Sequence, residues 1–289
     1  MDFEYVLRFF KSTGRFLRRH WPIPAFLAVL ALLAGTTDVL ERYFVYFPIR
    51  ELYGRPSDLG LPYLDAHFTA EDGVRLHGWF VPRPGARHTF LILHGNGGNI
   101  SHRLGWICLL HDLGAHVLIF DYRGYGRSEG RPGEKGLYRD ALAAYRWWSN
   151  ECTEEPGALI LLGESLGGAV AVNLASRVAV DGLILQSTFT NAWDMAKTML
   201  PLGLLQPLTG IRFDSTSAVA AIRCPKLFIH GDRDDIVPFR LGRRLYELAS
   251  PPKEFYAVPG AGHNDLVDTA GAEYRKRIGA FLSSVGPRF

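Results

Sequence analysis

The sequence predicts an α/β protein built on a mostly parallel sheet with helices on both faces. From residue 88 onward, apolar runs with strand character alternate with helical stretches, the pattern produced when each strand returns through a crossover helix. Ahead of them, two strand-like runs flank Ala70-Glu71-Asp72-Gly73, where Asp-Gly signals a hairpin and an antiparallel edge. A length of 289 residues suits one large α/β domain plus an appendage.

The appendage comes first. Residues 1–20 carry Arg8, Lys11, Arg15, Arg18 and Arg19 against Asp2 and Glu4, whereas 21–37 hold no charged side chain and 25–34 are continuously apolar. A membrane helix needs about 20 such residues. The run can extend downstream, because Asp38, Glu41 and Arg42 would sit near the interface. Tyr43, Phe44, Tyr46 and Phe47 then supply the aromatic belt of a membrane boundary. A cleaved signal peptide, an uncleaved signal anchor and a helix packed on the soluble domain all fit this stretch. The uncharged length and the aromatic belt favour the anchor, so 1–47 read as a basic cytoplasmic segment and a transmembrane signal anchor. The basic flank precedes the span, which is expected to put the N-terminus in the cytoplasm and the domain that follows on the extracytoplasmic side. Residues 48–62 are rich in turn formers and read as a linker to a domain covering 63–289.

Eight strands are expected in that domain, at 63–69, 74–81, 88–93, 116–120, 159–162, 182–186, 226–230 and 254–258. Helices are expected at 101–112, 136–148, 168–177, 239–249 and 269–284, with a looser helical stretch over 193–221. Hydrophobic residues make up 47% of the chain, enough for a sizeable core, and a net charge of +3 gives no electrostatic footprint for nucleic acid. The three cysteines, Cys108, Cys152 and Cys224, are odd in number and match no zinc spacing. Neither a metal nor an organic cofactor is expected.

The centre of the domain is Gly163-Glu164-Ser165-Leu166-Gly167, a G-x-S-x-G with a strand before it and a helix after it. In such a turn the serine takes a strained backbone that lifts its hydroxyl above the sheet, and the helix N-terminus offers free N–H groups to an oxyanion. The bland alternative is a strand-to-helix turn with a serine cap; the rest of the chain decides against it. His94-Gly95-Asn96-Gly97-Gly98-Asn99 follows the third strand, where a second oxyanion donor belongs; the backbone of Asn96 is assigned to it, paired with that of Leu166. No lysine stands at P-loop spacing, so this is not a phosphate loop, and His94 is read as shaping the loop. After strand 226–230, Asp232, Asp234 and Asp235 offer three carboxylates, some of which could cap the next helix. After the last strand, His263 lies in a glycine-rich loop where a base is required. A serine, then an acid, then a histidine is the chain order of one particular serine-hydrolase arrangement.

These stretches resemble the α/β-hydrolase superfamily over roughly residues 60–285. His94-Gly95-Asn96, the run from Phe120 through Asp121-Tyr122-Arg123-Gly124-Tyr125-Gly126-Arg127 to Ser128, Gly163 to Gly168, and Gly262-His263 carry the likeness. It extends to small membrane-anchored hydrolase-domain proteins and serine-aminopeptidase-like hydrolases. The family pattern G-x-x-D-x-x-V-P aligns Asp234 with the catalytic acid and leaves Asp232 and Asp235 as neighbours. The resemblance implies an α/β-hydrolase fold and a serine hydrolase that cleaves carboxylic esters or thioesters of a small-molecule or lipid-like acyl substrate, through Ser165, Asp234 and His263. An aminopeptidase-like peptidase and a non-catalytic scaffold are the rivals. Asp121 and Arg123 are read as structural. Between strands 182–186 and 226–230, Met195, Met199, Leu200, Leu202, Leu204, Leu205 and Leu208 are either ordinary helix packing or a small apolar lid.

Overall fold

The computed structural model describes residues 45–152, 157–198 and 210–286. The expected membrane helix, and the lid segment from Met199 through Leu208, lie outside these residues. Among the described residues no helix is long and apolar enough to cross a membrane.

In chain order the strands are β1 (Phe47–Pro48), β2 (Leu64–Thr69), β3 (Arg75–Val81), β4 (His88–Leu93), β5 (Gly97–Gly98), β6 (His116–Asp121), β7 (Ala158–Glu164), β8 (Gly182–Gln186), β9 (Lys226–Gly231) and β10 (Lys253–Val258). The helices are α1 (Leu104–Asp112), α2 (Glu134–Glu151), α3 (Leu166–Ala175), α4 (Ala192–Ala196), α5 (Thr216–Val219), α6 (Phe239–Leu248), α7 (Leu266–Ala270) and α8 (Ala272–Ser284). Eight strands form one sheet in the order β10-β9-β8-β7-β4-β6-β3-β2, and β1 pairs with β5 alone. Only β3 runs antiparallel to its neighbours, β2 and β6; the other main-sheet pairings are parallel.

The reason lies in the side chains. A parallel sheet is covered on both faces, so its strands must be apolar throughout. Leu91, Leu118, Leu161 and Phe228 point to one face, into a core closed by Leu137, Val170 and Leu245 of α2, α3 and α6. Their neighbours Ile92, Ile119, Ile160 and Ile229 point to the other, where Ile107 of α1 and Ile278 of α8 cover them. Strand β2 at the edge is mostly exposed or half-buried.

Three helix boundaries shift for local reasons. The helix after the serine starts at Leu166, two residues early, because Ser165 itself makes the turn. Residues 100–103 form a 3-10 turn before α1, with the Asn99 side chain accepting from the Ser101 N–H. The last helix breaks at Gly271, whose φ of +51° separates α7 from α8. Among its described residues the looser stretch contains two short helices, α4 and α5.

Residues 48–62, read as a linker, lie against the domain. Phe47 and Pro48 pair in register with Gly97 and Gly98, and Leu52 and Leu61 pack on the core. The turn residues of this stretch keep it on the surface, and its backbone groups find partners in the loop after β4. All the candidate site residues follow the carboxyl ends of strands, which gathers them on one rim of the sheet.

Candidate active site

Ser165 sits between β7 and α3 with φ +52° and ψ −115°, a region that side chains other than glycine rarely enter. Three contacts hold it there. Its N–H donates to Gln186 O at 2.9 Å, and its carbonyl accepts from the Gly168 N–H at 3.0 Å and from Thr188 Oγ1 at 2.8 Å. A Cβ on Gly167 would lie 1.9 Å from Leu93 O, and one on Gly163 2.6 Å from Gly167 O. The two glycines therefore let the turn close against its neighbours.

His263 bridges the serine and an acid. Its Nε2 is 3.2 Å from Ser165 Oγ and its Nδ1 is 2.8 Å from Asp234 Oδ2. Burial works against the charge on Asp234, but hydrogen bonds from His230 and His263 outweigh it and hold the carboxyl well below the usual carboxylate range. As an anion Asp234 only accepts, so the Nδ1–H of His263 is the donor to it, and in the neutral tautomer that this selects Nε2 is the acceptor facing the serine. Asp234 Oδ1 also accepts from the Ile236 and Val237 N–H groups at 3.0 and 2.7 Å. The other two carboxylates are elsewhere: Asp232 accepts from the Gly260 N–H at 2.7 Å, steadying the histidine loop, and Asp235 is exposed.

The loop after β4 is turned by His94, which is fully buried. His94 Nδ1 lies 2.7 Å from Gly95 O; a carbonyl only accepts, so Nδ1–H is the donor. In a trans peptide the C=O and the next N–H lie in one plane and point in opposite directions. With the Gly95 carbonyl directed at the buried ring, the Asn96 N–H faces away from it. Leu166 opens α3, so its N–H has no carbonyl four residues back within the helix.

Several residues of this site were not singled out in the sequence. Glu164 Oε2 accepts from the Gly95 N–H and from Arg103 Nη2, both at 3.0 Å, while Arg103 Nη1 donates to Gly97 O at 2.8 Å. That clamp ties the serine turn to the glycine loop. The x before the serine in G-x-S-x-G gave Glu164 a position without a partner; nothing local marked Arg103. His230 Nε2 donates to Val237 O at 2.9 Å and lies 3.3 Å from Asp234 Oδ2. Its place at the end of β9, before the acid loop, was the available signal. Beside His263 opens a groove of about 750 Å³ lined by Arg103, Trp106, Glu164, Asn264 and Arg275 among others. Arg123, beyond the site, is paired with Asp72 and Asp140 at 2.7 and 2.8 Å, a structural role.

Comparison with known proteins bears on the fold and the family. A family model of the alpha/beta hydrolase fold matches residues 88–219. The alpha/beta hydrolase domain-containing protein WAV2 of Arabidopsis thaliana is 35% identical, over 90% of this chain and 92% of its own. The chain belongs to the α/β-hydrolase family. The lysophosphatidylserine lipase ABHD12 of Danio rerio is 34% identical to this hydrolase, over 81% of this chain and 72% of its own. The Pyrococcus furiosus esterase Pf2001 superposes with a TM-score of 0.72 at 26% identity, covering 84% of this chain and 98% of that one.

Beneath the glycine loop of this hydrolase lies a buried acid with a measurable consequence. Burial pushes Asp121 up to about 7, partly offset by its hydrogen bond from the Ile100 N–H and by the charge of Arg103. Burial likewise pushes the neighbouring His94 down to about 3, helped by Arg103. The two side chains, 3.8 Å apart, are therefore not an ion pair below neutral pH. Folded Asp121 keeps a proton that the unfolded chain loses near pH ~3.9. Its contribution to stability is full below that pH and is lost as pH rises toward about 7. Asp121→Asn keeps an acceptor for Ile100 and cannot ionise. In urea titrations at a series of pH values, its stability relative to the parent should climb between about pH 4 and 7 and level off above. A flat difference would show that Asp121 is ionised throughout.

Proposed function

We propose that this α/β hydrolase cleaves carboxylic esters or thioesters through an acyl-enzyme on Ser165. The observation that carries the reading is the continuous hydrogen-bonded path from Asp234 through His263 to Ser165 Oγ, which ends on a hydroxyl held in a strained strand-to-helix turn. Ser165 Oγ attacks the acyl carbonyl carbon and its proton passes to His263 Nε2. The Asn96 and Leu166 N–H groups receive the negative charge that develops on the carbonyl oxygen. His263 then gives the proton to the departing alcohol or thiol. Water repeats the sequence from the other side, releasing the acid and restoring the serine. Asp234 holds the imidazole in the tautomer this requires and stabilises it once protonated.

Similarity to an esterase of Pyrococcus furiosus and to a lysophosphatidylserine lipase of Danio rerio supports an acyl ester as substrate. A mixed groove beside His263 has room for a leaving group. For location, the proposal is a single-pass protein with its N-terminus cytoplasmic and its hydrolase domain outside. The uncharged stretch 21–37 supports this, as does the exposure of Phe47, Ile49, Tyr53 and Leu59 just after it. A catalytic rim near a bilayer favours substrates that partition into lipid.

Ser165→Ala should abolish fluorophosphonate labelling and lower kcat by about 10⁴–10⁶. Asp234→Asn should cripple turnover while Asp232→Asn and Asp235→Asn largely spare it; a dead Asp235→Asn with an active Asp234→Asn would move the acid by one residue. Across p-nitrophenyl esters, kcat/KM should rise with each acyl carbon, by an amount set by about 0.8 kcal/mol per buried methylene, until the pocket is full. Faster turnover of aminoacyl-anilides, without dependence on chain length, would favour the peptidase reading instead. The protein should stay with membranes through alkaline carbonate washing, and a reporter fused after Phe289 should read as non-cytoplasmic. A soluble product beginning near Thr36 would instead mark a cleaved signal peptide.

A further inference from the structure

The loop that carries Asn96 is poorly equipped to hold itself. Gly95, Gly97 and Gly98 bring no side chains to pack, and Gly98 sits at φ +83°. Glycine also has the most backbone freedom to lose. An oxyanion donor has to be fixed before the charge appears, because its advantage over water is that it need not reorganise. On one side the Arg103–Glu164 clamp restrains the loop. On the other, the restraint comes from a segment remote in sequence.

Residues 45–50 lie across the loop and exchange hydrogen bonds with it almost residue by residue. The Phe47 N–H donates to Asn96 O at 3.0 Å, and the Ile49 N–H donates to Gly98 O at 3.1 Å. Asn96 Nδ2 donates back to Val45 O at 3.1 Å. Asn99 Nδ2 donates to Ile49 O at 2.9 Å. Tyr125 Oη adds a second donor to Asn96 O, at 2.8 Å. The segment is itself anchored to the loop after β6. The Gly126 N–H donates to Ile49 O at 3.0 Å, and Arg50 Nη1 donates to Ser128 O at 2.6 Å. Tyr46 is buried in the core while Phe47 faces solvent. The segment 45–50 itself lies outside residues 88–219, the part matched by the family model, whereas its partners lie within it.

We propose that residues 45–50 are a positioning strap for the oxyanion donor, so that catalytic competence depends on the segment that leads in from the N-terminal region. The proposal rests on the assignment of the Asn96 N–H as an oxyanion donor. The strap touches no substrate. It holds the carbonyl of the Asn96–Gly97 peptide and the Asn96 side chain, and thereby the direction of the N–H one peptide earlier. The bonds to Asn96 O and from Asn96 Nδ2 converge on that single residue, which is where a catalytic restraint belongs and where a merely structural edge would need none.

Two substitutions in the full-length protein cut the strap without touching the donor. Arg50→Ala releases its far end, and Arg50→Lys restores a donor there. Asn96→Ala removes the side-chain link to Val45 but keeps the backbone N–H. Loss of a whole oxyanion donor costs about 10²–10³ in kcat, so a loosened one should cost roughly 10-fold in Arg50→Ala and Asn96→Ala, with KM for the best p-nitrophenyl ester unchanged. Affinity for a boronate analogue of the tetrahedral intermediate should fall by the same factor, Arg50→Lys should recover most of it, and the double variant should lose little more than either single one. Should Arg50→Ala not fold, Asn96→Ala carries the same test. Unchanged kcat and boronate affinity in the strap variants, with Ser165→Ala inactive, would overturn the strap and leave the hydrolase reading standing. A loss shared equally by KM and melting temperature would reduce the strap to a structural edge. An active Ser165→Ala would remove the hydrolase reading itself.

Discussion

The left-handed turn at Ser165 is the constraint on which the other parts of this molecule depend. An L-residue at φ +52° costs free energy, and the surroundings over-determine it. Two glycines allow neighbouring backbone to approach closer than any Cβ would permit. Thr188 and Gln186, at the end of the adjacent strand, hold the carbonyl and the N–H of the serine. The gain is directional: the hydroxyl stands clear of the sheet, and the first free N–H of α3 stands beside it.

Around that turn the site is assembled from three loops that share no local sequence, and buried polar contacts set their relative positions. Asp234 takes donors from its own loop and from His263, so the acid and the base are placed by one carboxylate. His94 and Asp121 do the opposite. Both are deprived of water and held near neutrality, so the floor under the glycine loop carries no opposing charge below neutral pH. Charge is concentrated on the carboxylate that orients the base, and at the glycine loop the charges of Glu164 and Arg103 are paired with each other.

Restraint of the glycine loop has a different origin. Its glycines bring no side chains that could stiffen it, which leaves Arg103, Glu164 and the segment at 45–50 to supply the missing contacts. A short parallel pairing of β1 with β5 is a weak element by itself. Joined to the anchors at Arg50 and Tyr46, it becomes part of the same rim as the serine and the histidine. The chain that leads in from the N-terminal region is therefore structurally continuous with the site.

Much of the fold was legible in the sequence because parallel strands need apolar residues on both faces, and each such run in β4, β6, β7, β8 and β9 announces itself. The G-x-S-x-G turn was legible for a similar reason, since its geometry demands glycine at fixed spacing. His263 could be placed by its order after the last strand, whereas order alone left three carboxylates and only the family pattern picked Asp234; the structure brings both within hydrogen-bonding distance along one path to Ser165. The partners were not legible. Arg103 meets Glu164 across 61 residues, and Phe47 meets Asn96 across a comparable span. No periodicity encodes such a pair, because each member satisfies only the other and leaves its own neighbourhood unmarked. The stretch 48–62 shows the same limit: turn residues describe how the chain bends, while the hydrogen bonds that dock it depend on the loop brought to it. The sequence alone determined the layers, the strand order's apolar logic and the chemical groups on the rim. Only the tertiary structure decided which of those groups touch, because contacts between distant residues are settled by packing and desolvation after the layers have formed.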